Sequence, residues 1–210
     1  QQVLWYPIRT LPRVPYEIDP KFVDFFNKQY KPFNFSNDSL VIHIRSGDIF
    51  YRRYKNSHYG QPPCQYYREV ISMRNWSDIT ILSEDNRNPC VDILSTEIGI
   101  PFKKNEFHHD FSILLNAPNI VFSYGSFSYA VILFSKKLKS IFTFNQPSSR
   151  IPDHLNCVPS ELYENKVLKK WSANKSQLRL MVDPKILCKK WEFIEKGPKN
   201  TRQNIHEYAF

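Results

Sequence analysis

Three short stretches of this sequence carry side chains that could act on a ligand. The first, residues 39 to 48, runs through Leu40-Val41-Ile42 into His43-Ile44-Arg45 and stops at Ser46-Gly47-Asp48. Side chains alternate faces along a strand, so His43 and Arg45 share one face and Ile42 and Ile44 the other. The second is Ser83-Glu84-Asp85-Asn86, which follows the apolar Ile81-Leu82. The third is Ser123-Tyr124-Gly125-Ser126-Phe127-Ser128, which follows Ile120-Val121-Phe122. A solvated edge strand or a capped helix would explain any one of these alone. Together they match one chemistry. The planar fork of Arg45 fits phosphate oxygens, and a small-residue turn opening a helix presents backbone N–H groups and hydroxyls to an anion. An arginine and a serine-rich helix start, brought together by one sheet, make a diphosphate site.

Those stretches need a scaffold that brings strand ends together, and the hydrophobic pattern supplies one. Strands are expected over Leu40 to Arg45, Ile79 to Leu82, Asn119 to Ser123 and Leu138 to Phe144. Helices are expected over Pro63 to Asn75, Pro89 to Ile98, Asp110 to Asn116 and Ser126 to Ser135. Short apolar strands separated by helical segments define βαβ units, and hence an α/β fold with a doubly wound parallel sheet over residues 36 to 147. In such sheets the ligand sits at the carboxyl ends of the strands, where His43, Arg45 and Asp48 fall. Residues 1 to 35 hold a strand-like run, Val3 to Ile8, and a helix-like run, Phe22 to Tyr30. Residues 148 to 210 form a C-terminal extension with helical stretches around Ser160 to Trp171 and Asp183 to Phe193.

Composition narrows the function classes. The 210 residues are 41% hydrophobic and 15% aromatic, enough for one packed core. No run approaches a membrane span, so any membrane attachment would come from a segment outside this chain. The net charge of +9 favours an anionic partner. Its basic residues are dispersed as doublets without a zinc finger or an RNP-type motif, so nucleic acid is not the expected partner. Cys64, Cys90, Cys157 and Cys188 allow two disulfides in any of three pairings. Asn34, Asn37, Asn75 and Asn174 each begin an Asn-x-Ser sequon. Disulfides and sequons together point to the secretory pathway, in the lumen of the Golgi or the endoplasmic reticulum. No spacing suggests a metal site, and neither a Gly-x-Gly-x-x-Gly nor a P-loop pattern occurs.

The His-x-Arg-x-Gly-Asp pattern after an apolar strand resembles the first motif of the GDP-fucose-dependent fucosyltransferases (α1,2-, α1,6- and protein O-fucosyltransferases). Residues 108 to 135, HHDFSILLNAPNIVFSYGSFSYAVILFS, resemble their third motif, with Asp110 and Ser126 at the family spacing. The resemblance covers roughly residues 39 to 144 and implies the Rossmann-like donor half of a GT-B glycosyltransferase. An acceptor-side domain would precede it, with residues 1 to 35 as its remnant or link.

The same resemblance implies inverting, metal-independent transfer of fucose from GDP-fucose to a glycan or protein acceptor, with no cofactor. Arg45 would bind the pyrophosphate, His43 and Asp110 would recognise guanosine, and Ser126 with the Phe127 backbone would hold phosphate. Asp85 falls at the acidic position of the second motif. Many members carry two consecutive arginines in the first motif; here the second position is Ser46, as in the single-arginine variants. By position, Asp48 and Glu84 are candidate general bases for the acceptor hydroxyl. Tyr59 and Gln61, in Tyr59-Gly60-Gln61-Pro62-Pro63, are candidate sugar contacts, and Tyr66 and Tyr67 read equally well as core aromatics. Two other readings fit the pattern: a donor fold that binds nucleotide or glycan without turnover, and a basic nucleic-acid-binding protein.

Overall fold

The structure is a computed structural model and describes residues 19–51, 59–125, 127–145, 154–194 and 202–203. One mixed seven-stranded sheet in the order β2-β1-β3-β4-β5-β6-β7 organises these residues. The strands are β1 (Ser39–His43), β2 (Asp78–Leu82), β3 (Asn119–Phe122), β4 (Ser140–Phe144), β5 (His154–Pro159), β6 (Cys188–Ile194) and β7 (Arg202–Gln203). The first five run parallel, and β6 and β7 are antiparallel to their neighbours.

Helices cover both faces, and the strand residues show why. Leu40, Ile42, Ile81, Val121, Phe142 and Phe144 enter one cluster with Tyr66, Tyr67 and Val70 of α2 (Cys64–Ser72), Val91 and Leu94 of α3 (Pro89–Ile98) and Met181 of α7 (Lys175–Val182). The intervening Val41, Leu82, Ile120, Phe122 and Ile141 enter a second cluster. That cluster holds Phe111, Leu114 and Leu115 of α4 (Phe107–Asn116) and Val131 of α5 (Phe127–Phe134), with Phe26 of α1 (Pro20–Lys28) packed on it. Apolar residues on both faces are the signature of a parallel sheet buried on both sides. The expected α/β architecture is present.

Local signals set the element ends. Asn88 caps α3 by accepting the Cys90 N–H at 3.0 Å, Pro89 occupies the first turn, and Gly99 closes the helix in the left-handed region at φ 67°. Strand β1 stops at His43 rather than Arg45, and α2 ends at Ser72 rather than Asn75. Helix α4 begins at Phe107, three residues before the expected start.

The C-terminal region departs most from its sequence reading. The helix expected over Asp183 to Phe193 is instead β6, which pairs with β5 from Pro159↔Cys188 to His154↔Ile194. Its Trp191 stacks on Tyr66 at 5.7 Å and donates to Glu69 at 2.8 Å, contacts only a strand in this register provides. The stretch from Ser160 becomes the short α6 (Glu161–Tyr163) followed by a π turn over Glu164–Leu168. Val3 to Ile8 lies outside the described residues.

The cysteines pair as Cys64–Cys90, joining the starts of α2 and α3, and Cys157–Cys188, joining β5 to β6. With separations of 26 and 31 residues, each contributes roughly 3 to 4 kcal/mol in the chain-entropy account. Two disulfides are compatible with a secreted or lumenal setting. Among the described residues no helix is long and apolar enough to cross a membrane.

Candidate functional site

Strands β2, β1 and β3 finish level, because His43 lies opposite both Leu82 and Phe122. The residues that follow therefore meet at one edge. The Ser123 hydroxyl accepts the Arg45 N–H at 2.6 Å and donates to the His43 carbonyl at 3.2 Å. On the other side the Ser83 hydroxyl donates to the Ile44 carbonyl at 3.0 Å. Two serines thus clamp the chain just before and at Arg45.

The loop after Arg45 is braced from below. Asp85 Oδ1 accepts from the Ser46 hydroxyl at 2.5 Å, the Gly47 N–H at 3.2 Å and the Arg87 N–H at 3.0 Å. Asn88 donates its N–H to Ser46 Oγ at 2.9 Å and its side-chain amide to the Arg45 carbonyl at 3.0 Å. Gly47 sits at φ 68°, and a Cβ there would stand 2.3 Å from the Glu84 carboxyl carbon. The left-handed angle favours glycine there, and a Cβ would make the mobile end of Glu84 shift aside.

Arg45 reaches outward from this braced loop. Its Nη1 donates to Glu84 Oε1 at 2.8 Å and its Nη2 to Asp48 Oδ1 at 2.5 Å. The three side chains are 32%, 46% and 58% exposed for Arg45, Glu84 and Asp48. Ion pairs so open to water contribute about 0–1 kcal/mol each. Both carboxylates can exchange for a ligand anion at little cost.

His43 points to the other cluster. Its ring lies 5.1 Å from Phe127 and 6.2 Å from Phe122. Burial, with the nearby Arg45 charge as the second cause, lowers its pKa from 6.5 to about 4. The imidazole is neutral at physiological pH, able to donate one hydrogen bond and accept another. Asp110 lies in the first turn of α4, half-buried, and takes a hydrogen bond from Asn105 at 2.8 Å. Burial raises its pKa, against the opposing effects of that hydrogen bond and of His109. Phe127 packs on Phe107 and Phe111 of the same helix, each at 5.3 Å, which links α4 to His43 through one ring. Ser126 lies outside the described residues.

Gln61 is fully buried, and its amide nitrogen donates to Tyr59 O at 2.9 Å and Tyr124 O at 3.3 Å. Its amide nitrogen braces the turn after β3 while its buried carbonyl oxygen has no partner among the described residues, and Tyr59 is half-buried. Tyr66 and Tyr67 are both buried, and Tyr66 shares its O–H between the Phe122 and Phe142 carbonyls. Sequence reasoning missed Ser83, Ser123 and Asn88 as braces. The Asn88-Pro89 pair is a helix-start signal, and the two serines stand directly after apolar runs. The C-terminal extension packs against the same loops, with Trp171 donating to Ile49 O at 2.9 Å and the Tyr163 hydroxyl to Gln61 O.

The arrangement offers one exchangeable guanidinium, two displaceable carboxylates, a neutral imidazole and a helix start at one edge. No cluster of three or more metal-ligating side chains occurs among the described residues. Comparison of the chain with protein-family models, curated proteins and solved structures gives no match.

Proposed function

We propose that this chain is the donor-binding part of a glycosyltransferase that transfers fucose from GDP-fucose to a glycan or protein hydroxyl. One observation carries the reading. The parallel order β2-β1-β3-β4-β5 has its topological switch point between β1 and β3, and the Arg45-to-Ser123 hydrogen bond spans that point. Ligands of open α/β sheets bind there, outside the carboxyl ends. The His-x-Arg-x-Gly-Asp resemblance lies on the same edge and supplies the donor's identity.

In this reading the diphosphate takes the Arg45 fork in place of a carboxylate. The acceptor oxygen attacks the anomeric carbon from the face opposite the leaving group. The bond to the acceptor forms as the carbon–oxygen bond to GDP breaks, and its electron pair passes to the diphosphate. Arg45 and the N–H groups at the start of α5 stabilise that growing charge, the largest available form of catalysis in such a step. The displaced carboxylate, Asp48 or Glu84, receives the acceptor proton. Neutral His43 and half-buried Asp110 recognise guanosine. Inversion at the anomeric carbon follows from the single displacement, and no metal ion is required. The two disulfides and the sequons support a Golgi or endoplasmic reticulum lumen.

The presence of two carboxylates on one arginine favours a second reading, a donor fold that binds without turnover. A melting-temperature screen of nucleotides, followed by an assay of GDP release, separates the two. GDP and GDP-fucose are expected to raise the melting temperature, by about 2.7 kcal/mol of stabilisation at a hundred times the dissociation constant. UDP and CMP are expected to leave it unchanged. Equal shifts with UDP remove the guanine assignment, and GDP binding without sugar transfer selects the second reading.

A further inference from the structure

Three of the four sequons meet at the amino-terminal edge of the sheet. Asn34 and Asn37 precede β1, Asn75 precedes β2, and those strands start in register at Ser39↔Asp78. All three asparagines are exposed. Their sequon hydroxyls form one cluster: Ser36 touches both Ser77 and Ser39, the latter at 3.2 Å. Asp78 Oδ2 accepts from Ser39 at 2.5 Å and Ser77 at 3.2 Å. The fourth, Asn174-Lys175-Ser176, stands apart as the cap of α7, where Asn174 Oδ1 accepts the Gln177 N–H at 2.9 Å.

We propose that the amino edge is a glycan-bearing pole, modified at Asn75 and at one of Asn34 and Asn37. The length of β1, roughly 13 Å, separates it from the edge that carries Arg45. Oligosaccharides here are bulky and face solvent, so they leave the opposite edge open to ligands. Asn34 and Asn37 are three residues apart with their serines in contact, and a branched oligosaccharide on one crowds the other.

The geometry also fixes the order of events. A sequon is modified through its asparagine amide together with the hydroxyl two residues on. In the folded chain Ser39 is fully buried, and Ser36 and Ser77 are held in the same cluster. Asn37 is held too, its Oδ1 accepting from Lys139 at 2.6 Å and its carbonyl from Asn119 at 2.8 Å. Modification at Asn37 therefore precedes folding, on the extended nascent chain, whereas the exposed Ser36 and Ser77 leave Asn34 and Asn75 accessible in the folded chain.

The test uses protein secreted from eukaryotic cells and, in parallel, unglycosylated protein refolded with its disulfides. Glycopeptide mass spectrometry of the secreted chain is expected to show Asn75 occupied and one glycan over the Asn34–Asn37 pair. Purified oligosaccharyltransferase with a lipid-linked donor is expected to modify Asn37 in the reduced, denatured chain and not in the native one. Bare Asn34, Asn37 and Asn75 in the secreted protein overturn the pole. Equal modification of Asn37 in native and denatured chains overturns the order of events. Enzymatic removal of the glycans is expected to leave any GDP-induced melting shift unchanged, whereas a changed shift puts the glycans beside the donor and overturns the separation of the two edges. The glycan pole does not depend on the donor assignment, and failure of GDP to bind bears on that assignment alone.

Discussion

The two ends of the same strands are built on opposite principles. At the amino end the buried polar groups are spent inward: Asn119, 1% exposed, donates to the Asn37 and Ser39 carbonyls and accepts from Arg74 at 2.9 Å. At the carboxyl end the backbone is equally well tied, by Ser83, Ser123, Asp85 and Asn88, but the charged groups of Arg45, Asp48 and Glu84 face solvent. Buried, mutually satisfied polar groups hold a fold together, because leaving one unpaired costs the full desolvation penalty. Exposed charges on a rigid loop contribute little to stability and remain free to change partners. That contrast marks one end as structural and leaves the other with charged groups free to exchange partners.

The largest expected effect that separates the ends concerns the proton acceptor. Of Asp48→Asn and Glu84→Gln, one should lower turnover by about 10²–10⁴-fold, the usual contribution of general base catalysis. Neither should change stability by more than about 1 kcal/mol, since each breaks only an exposed pair. Full turnover in both variants would place the acceptor proton elsewhere.

Next in size is the mirror experiment at the amino end. Asn119→Ala leaves the buried Ser39 carbonyl without its partner and releases the Asn37 carbonyl and Arg74, for a loss of about 1–3 kcal/mol from the buried group. Each kcal/mol lowers the melting temperature by roughly 2–4 °C in a chain of this size. The GDP-induced shift should persist. A variant that keeps its stability but loses the GDP response would erase the distinction between the ends.

The smallest effect is a pH dependence from His43. Its folded pKa of about 4 lies below the ordinary 6.5, so between those values the unfolded chain binds a proton that the folded chain refuses. Stability should be unaffected by His43 above pH 6.5 and fall as pH drops from 6.5 to 4. The half-buried Asp110 and Glu69, both raised by burial, have the opposite sign, since each favours its protonated form in the fold. His43→Gln should flatten melting temperature against pH within that window. An unchanged profile would mean the imidazole is not held neutral between Phe122 and Phe127.

Much of the scaffold was legible because parallel strands buried on both faces read as uninterrupted apolar runs, as in Leu40-Val41-Ile42 and Asn119-Ile120-Val121-Phe122. Helix α3 was legible to the residue, since Pro89 starts it and Gly99 ends it. The β6 strand was not. Cys188-Lys189-Lys190-Trp191-Glu192-Phe193 has no local feature that decides between helix and strand, and its pairing with β5 and its contact with α2 come from residues far along the chain. The candidate site was legible in its charged side chains, Arg45, Asp48 and Glu84, and in His43 on the strand itself, because polar types stand at or just past the end of an apolar run. Its braces were not. A serine after a strand looks the same whether it clamps a backbone, as Ser123 does, or faces water, and nothing local in Gln61 shows that its amide nitrogen is held by Tyr59 and Tyr124.

The claim that matters most is that Arg45 holds a nucleoside diphosphate at the carboxyl edge, and calorimetric titration of GDP into wild-type, Arg45→Lys and Arg45→Ala protein tests it most directly. Wild-type protein should bind GDP in preference to UDP. Arg45→Lys should bind less tightly, because the charge remains and the bidentate fork is lost, and Arg45→Ala should lose more, on the order of tenfold or greater for a charge-assisted contact of about 1.5–3 kcal/mol. Melting temperatures of the unliganded variants should stay close to wild type, since Arg45 makes only exposed pairs. Wild-type GDP affinity in a folded Arg45→Ala protein would contradict the account.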